Sequence, residues 1–347
     1  MKNSRIIRRL KIEGLFGQYN VNIELNDLTV IVGKNGLGKT TLLKILKGFM
    51  TGKHEINYED ICENIELFFE DGNIISFGVI SEEMSRSVAS KGLMQYLMND
   101  EKGIESIIPG IDGINSTLTD VEKKDIAERL IAATMKSETF LNMLKNGYGE
   151  VINKNNKQIF SNKFHIKDIK DTIVVRYIST VNISANAGNN IDFGNSIEKN
   201  PLNLAIYDEL RILLKNENKS AEKKFKEQLN TFLKESGKKA IRKHGEWIFT
   251  NKTGRILGLE QLSSGERQLV YILATAANTC NKATLFLMDE PEISLHLSWQ
   301  EKILTAIMNI NPLMQIIAVT HSPGIIMNGH MDAYVEMKDI MRGVENV

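Results

Sequence analysis

Cysteine, long apolar runs and surplus charge are all scarce in this sequence. Two cysteines, Cys62 and Cys280, occur in 347 residues, too few for a disulfide framework or a zinc cluster and suited to a reducing cytosol. No Cys-x-x-Cys pair exists, so a zinc hook is excluded. No stretch reaches the roughly 18 consecutive apolar residues of a membrane span. The first residues, MKNSRIIRRLKIEG, carry charge but no apolar h-region of a secretory signal. The expected location is therefore cytoplasmic, with no membrane partner. Lys+Arg and Asp+Glu number 43 each, and zero net charge argues against a protein that coats nucleic acid by bulk electrostatics. A local basic patch stays open.

What is present is ordinary globular material. Hydrophobic residues make up 42% and charged residues 25%, which supports a sizeable core and excludes disorder over most of the length. The length implies two domains or one large domain with an insertion. The neutral total hides polarity along the chain. Residues 53–71 hold seven acidic residues and one Lys, whereas 219–243 hold nine Lys/Arg against three Glu, a net of +6.

The ends of the chain read clearly. Residues 6–12 and 21–25 are strand candidates, and Leu28 to Val32 is an apolar run of the buried-strand kind. A helix follows from Thr41, expected to finish before Gly48. Residues 64–80 predict a hairpin turning at Asp71-Gly72. Near the C-terminus, helix 266–278, strand 284–288, helix 297–310 and strand 315–320 alternate. Between them the pattern is weaker. It predicts an amphipathic helix over 120–145, a strand over 173–181, a loop over 182–200, two helical pieces over 202–236 broken near 215–219, and a hairpin around 251–254. This reads as one α/β nucleotide-binding domain split into 1–50 and 255–347. The insertion comprises 51–200, with added strands and helices, and 201–254, a short helical arm and hairpin.

Three motifs carry chemistry on their own terms. Gly33-Lys34-Asn35-Gly36-Leu37-Gly38-Lys39-Thr40 fits G-x-x-x-x-G-K-[ST], between an apolar strand and a helix as that motif requires. Its glycines admit backbone N–H groups to phosphate oxygens, Lys39 reaches the β- and γ-phosphates, and Thr40 ligates Mg²⁺. Thr41 completes the candidate phosphate set. Leu285 to Glu290 is an apolar strand that ends in two carboxylates. Asp289 would hold Mg²⁺ through water, and Glu290 would polarise the attacking water. Ser263-Ser264-Gly265-Glu266 precedes a helix and fits either a second anion site or an ordinary capping box.

Together, GKNGLGKT, LSSGERQ, MDEPEISLH and AVTHSP resemble the ABC-type ATPase family, in particular its soluble SMC, RecF and OLD-like branch. The resemblance covers about 140 residues at the two ends, where spaced motifs agree in order. It implies a P-loop ABC-type ATPase domain, a mixed sheet with flanking helices, interrupted by a large mixed insertion. It also implies ATP and Mg²⁺ as cofactors, with two ATP sandwiched in a homodimer or higher homo-oligomer. Ser263, Ser264, Gly265 and Glu266 would then face the nucleotide held by the partner's Lys39. His321 would touch the γ-phosphate in its own subunit as a catalytic residue, and Ser294, Leu295 and His296 would link the two sites. His54, His165 and His330 lack such a motif and read as surface or structural residues.

The sequence departs from that pattern in two places. Ser264 replaces the second signature glycine, and no Q-loop glutamine can be placed: Gln95 and Gln158 lie in the insertion, and Asn182 is a weak candidate. The residue stacking on adenine is unassigned, with Arg8, Arg9 and Lys11 of the first strand as basic neighbours. The branch includes ATPases of bacterial anti-phage systems, Septu-like and PARIS-like, that act with a separately encoded nuclease or toxin. Only 24 residues follow Pro323, so no TOPRIM nuclease is expected. The leading expectation is an ATP-hydrolysing switch that senses an invader or nucleic acid and controls a separate effector. The alternative is a RecF-type repair ATPase gripping DNA through the basic arm 219–243. A transporter's ATP-binding subunit fits the motifs poorly.

Overall fold

The computed structural model describes residues 6–78, 119, 121–122, 125, 129, 158–161, 173–179, 191–192, 198–327 and 329–344. Gln95, His165, Asn182 and most of the predicted helix 120–145 and loop 182–200 lie outside the described residues. The chain forms two units, one of residues 1–24, 57–169 and 341–347, the other of 25–56 and 170–340.

The described strands of the first unit form an antiparallel sheet. It comprises β1 (Ile7–Leu15), β2 (Tyr19–Glu24), β4 (Asn64–Phe69), β5 (Ile74–Gly78), β6 (Gln158–Ser161) and β16 (Met341–Gly343), in the order β16-β2-β1-β4-β5-β6. Alternation in β1 buries Leu10 and Ile12, and a register shift between Ile7 and Arg9 lets Ile7 be buried as well. The alternation leaves Arg9 and Lys11 on one face, where both cations lie against the ring of Phe68. The β4–β5 turn falls at Asp71-Gly72 as its sequence predicts: Gly72 has φ 74°, and the Asp71 carboxylate accepts the Asn73 N–H at 2.9 Å.

The second unit is built on a parallel sheet. Its strands are β3 (Leu28–Val32), β7 (Val174–Ser179), β13 (Thr284–Asp289), β14 (Met314–Thr320) and β15 (Tyr334–Glu336), in the order β15-β3-β14-β13-β7. Every residue of β13 and β14 is buried. That is why these strands read as continuous apolar runs rather than alternating ones. The register sets Val32 beside Thr320 and Asp289 beside Val319, so the chemistry-bearing strand ends meet at one edge. Helix α1 (Lys39–Thr51) follows β3. It runs past the expected stop at Gly48, which is buried inside it, and ends at Gly52, whose φ of 69° supplies the left-handed cap.

Two further helices, α2 (Pro201–Lys215) and α3 (Lys219–Leu233), form with the expected break between them. Asn200 and Asn218 cap them. A strand ladder follows: β10 (Lys239–Lys243), β11 (Glu246–Thr250) and β12 (Ile256–Leu257). Then come α4 (Ser264–Ala277), α5 (Leu297–Ile310) before β14, and the single turn α6 (Met337–Ile340). A two-residue ladder pairs β8 (Ile191–Asp192) with β9 (Glu198–Lys199). Ile206 and Leu213 of α2, Phe225, Leu229 and Phe232 of α3, and Leu269 and Leu273 of α4 share one buried core. The helical arm is therefore packed along its apolar side rather than standing free.

One expectation is corrected here. The basic stretch 219–243 is not a continuous helical stripe. Helix α3 ends at Leu233, Gly237 takes φ 69°, and Lys239–Lys243 is a strand turning at His244-Gly245, both at positive φ. Those two residues make a two-residue hairpin turn, which dictates a strand on either side. Among the described residues no helix is long and apolar enough to cross a membrane.

Candidate functional site

The loop between β3 and α1 is shaped by glycine. A Cβ at Gly33 would lie 2.8 Å from the Met337 Cβ, and Gly36 and Gly38 stand at φ 84° and 86°. Lys34 and Asn35 are exposed, whereas Leu37, Gly38, Thr40 and Thr41 are half-buried. Lys39, the first helical residue, is buried and folds back into the loop. Its Nζ donates to Gly33 O at 2.8 Å and Lys34 O at 3.0 Å, and lies 3.0 Å from His321 Nε2. Burial lowers its pKa, against the upward pull of Glu290, Asp289 and Glu292.

Strand β13 delivers Asp289 beside that loop. Thr40 Oγ1 donates to Asp289 Oδ1 at 2.9 Å, and the Tyr177 hydroxyl donates to Asp289 Oδ2 at 3.2 Å. Tyr177, on β7, also carries Lys47 4.8 Å above its ring centre, and burial raises its phenol's pKa. Thr40 and Asp289 fit a hard cation, and two oxygen ligands suit Mg²⁺, which keeps waters and phosphate oxygens in its remaining positions. No group of three or more His, Cys, Asp or Glu side chains assembles a metal cage among the described residues.

Glu290 follows at φ 53°. Its Oε1 lies 3.1 Å from His321 Nε2, and its Oε2 accepts the His321 N–H at 3.3 Å. Burial, then the neighbouring Glu292 carboxyl, pushes its pKa up to about 8, although Lys39 and the His321 N–H oppose the rise. Burial and the Lys39 charge lower the pKa of His321, against Glu292 and Asp289. The imidazole is thus neutral at neutral pH. Its Nε2 lone pair then accepts the Lys39 hydrogen bond, which leaves the ring proton on Nδ1.

The signature residues gather around the N-terminus of α4. Ser263 and Glu266 form a reciprocal capping box: Ser263 N donates to Glu266 Oε2 at 2.7 Å, and Glu266 N to Ser263 Oγ at 3.2 Å. Glu266 is fully buried and also accepts from Lys238 Nζ at 2.7 Å and Ser236 Oγ at 2.5 Å. Desolvation pushes its pKa up, yet these hydrogen bonds outweigh it and the net shift is downward. The carboxylate is taken up by these contacts, while Ser263 and Ser264 stay exposed. Gly265 is buried with no room for a side chain: its Cβ would sit 2.4 Å from Ser294 O. Gln268 Nε2 donates to Pro291 O at 2.9 Å. The signature helix is thereby joined to the loop that carries Glu290. In that loop Ser294 and His296 are exposed and Leu295 is buried, and the His296 ring packs edge-on to Trp299.

The remaining histidines have other neighbours. His54 lies edge-on to Phe49, and His330 Nε2 lies 2.9 Å from Thr305 Oγ1. Gln158 opens β6 of the first unit. Sequence reasoning misses Tyr177, hidden in a strand without polar pattern. It also gives Glu292 no role, although an acid two residues beyond Glu290 is visible in the sequence.

A glycine loop between strand and helix, with the threonine after its lysine bonded to a carboxylate that ends a parallel strand of the same sheet, defines a P-loop ATPase core. More specifically, the chain belongs to the AAA ATPase domain family, whose model matches residues 6–326. Its fold is that of the SMC head. It is similar to the SMC head domain from Thermotoga maritima at 14% identity and TM-score 0.50, covering 98% of this chain and 99% of that one. It is also similar to an SMC head bound to the C-winged helix domain of ScpA, at 12% identity and TM-score 0.53, covering 97% of each chain. Among curated proteins none matches.

Proposed function

We propose that this chain is a Mg²⁺-dependent ATPase acting as a switch, in which two copies close on ATP and separate after hydrolysis. The observation that carries the reading is the convergence of Lys39, Thr40, Asp289, Glu290 and His321 in one cluster. Lys39 supplies positive charge to the β- and γ-phosphates, beside N–H groups freed by Gly36 and Gly38. Thr40 and Asp289 would hold Mg²⁺, which neutralises phosphate charge when bound. Glu290, in its ionised form, accepts the proton of the attacking water, and a carboxylate whose pKa is raised to about 8 is a stronger base than an ordinary one. His321 donates toward the γ-phosphate.

The exposed Ser263, Ser264, Ser294 and His296 support a composite site completed by a second copy. Light scattering tests this. Glu290→Gln with ATP and Mg²⁺ should run as a dimer, and the same variant carrying Ser263→Arg as a monomer. A monomer at saturating ATP in the first case overturns the closure.

The effector is proposed to be a separately encoded nuclease or toxin in anti-phage defence, supported by the soluble-branch motifs. Lys39→Ala should abolish protection without unfolding the chain, and full protection by a variant that binds no ATP would sink the idea. A second reading, direct DNA binding as in RecF, is favoured by the exposure of Lys219, Lys226, Lys234, Lys239 and Lys243. Salt-dependent binding lost on reversing Lys239 and Lys243 supports it; no binding at low salt excludes it.

A further inference from the structure

Within the run that follows β13, one buried carboxylate with no role assigned above lies between the two segments the chemistry uses. Glu292 is 6% exposed, and a carboxyl group so placed needs hydrogen-bond donors to offset its lost hydration. Its Oε1 accepts from the Thr320 hydroxyl, from His321 N at 3.1 Å and from Ser322 N at 3.2 Å. The His321 N–H is shared with Glu290 Oε2 at 3.3 Å, so the backbone of His321 is held between two carboxylates. On the other side, Ser322 Oγ donates to Gln300 Oε1 at 2.8 Å, and Gln300 Nε2 donates to Leu295 O at 2.9 Å and Glu292 O at 3.4 Å. A Cβ at Gly324 would approach Leu297 to 2.6 Å, so the segment lies directly on α5. These bonds close a ring through the loop after β13, the first turns of α5 and the segment after β14.

We propose that Glu292 is a positioning residue that fixes the 320–322 segment, and through it sets the His321 ring against Lys39 and Glu290. It acts through the backbone of His321 rather than on substrate, and this proposal rests on the ATPase reading above. A purely structural carboxylate would alter stability alone. A positioning one alters turnover while leaving ATP affinity in place.

The test compares wild type, Glu292→Ala, Glu292→Gln and Gln300→Ala by ATP binding, steady-state hydrolysis and amide hydrogen exchange over 320–326. Glu292→Ala should keep its ATP Kd within about threefold while kcat falls about 10- to 100-fold, as for a displaced catalytic group. Exchange at 320–326 should quicken. Glu292→Gln keeps the Oε1 acceptor and should recover most of the lost rate. Gln300→Ala should lose about threefold to tenfold. Wild-type kcat in Glu292→Ala, or equal losses in the Ala and Gln variants, overturns the proposal. Should Glu292→Ala fail to fold, an undiminished rate in Gln300→Ala overturns it instead. If wild type hydrolyses no ATP, the ATPase reading fails by itself. Exchange then decides the clamp: unaltered rates in Glu292→Ala would overturn it.

Discussion

Glu290 combines a left-handed backbone, at φ 53°, with a carboxyl whose pKa is pushed up to about 8. Both cost stability in the empty chain, as strained functional positions do. The sign follows from linkage. A raised folded-state pKa gives stability that is full below the ordinary carboxylate value and lost as pH rises through about 8. Glu290→Gln removes that loss, so the empty variant should be about 1–2 kcal/mol more stable than wild type at pH 8–9. Its hydrolysis should fall about 10²- to 10⁴-fold with ATP binding kept. Denaturant melts at two pH values and a turnover assay check both halves. Lys39→Ala should instead weaken ATP binding by about 10- to 100-fold, the worth of a charged hydrogen-bonding group, measured by titration with a fluorescent nucleotide.

At the scale of elements, the N-terminus of α4 carries two linked predictions. The pKa of Glu266 is depressed in the fold, so its contribution is present above the ordinary carboxylate value and lost as pH falls through the folded one. Glu266→Ala breaks the capping box and strands Lys238. It should cost about 1–3 kcal/mol at pH 7 and less near pH 3, by urea unfolding. Gly265→Ala drives a Cβ against Ser294 O, which is backbone and cannot swing aside. It should shift the 290–294 loop and cut hydrolysis more than stability, while Ser264→Ala, at an exposed position, leaves the melting temperature unchanged. The elements also show what periodicity misses. Gly48 reads as a helix stop but is buried within α1, because Gly52 is the residue that takes the left-handed conformation. The stretch Lys238 to Lys243 reads as part of a helical arm, because charge pattern says nothing of the His244-Gly245 turn that makes it a strand.

Across the whole molecule, the legible parts are those where chemistry and burial coincide. Strands β3, β13 and β14 are plain because burial on both faces leaves continuous apolar runs. Their parallel register then brings residues 32, 289 and 320, distant in sequence, to one edge. The glycine loop, Asp289, Glu290 and His321 are readable because each falls in a short local motif whose residue types and spacing stand out in the sequence. Tyr177 and Gln300 are not, since a hydrogen bond to a motif residue leaves no pattern of its own, and Glu292 stands inside a quoted motif without its spacing revealing a partner. Long-range strand pairing is equally silent: β1, β2 and β16, from opposite ends of the chain, join one antiparallel sheet, and no local signal reports it.

The central claim, that one cluster binds and hydrolyses Mg²⁺-ATP, is tested most directly by phosphate release from purified wild type with and without EDTA, beside Lys39→Ala and Glu290→Gln. The account predicts EDTA-sensitive release in wild type and none above background in either variant, with ATP still bound by Glu290→Gln. Equal release from wild type and both variants would contradict it.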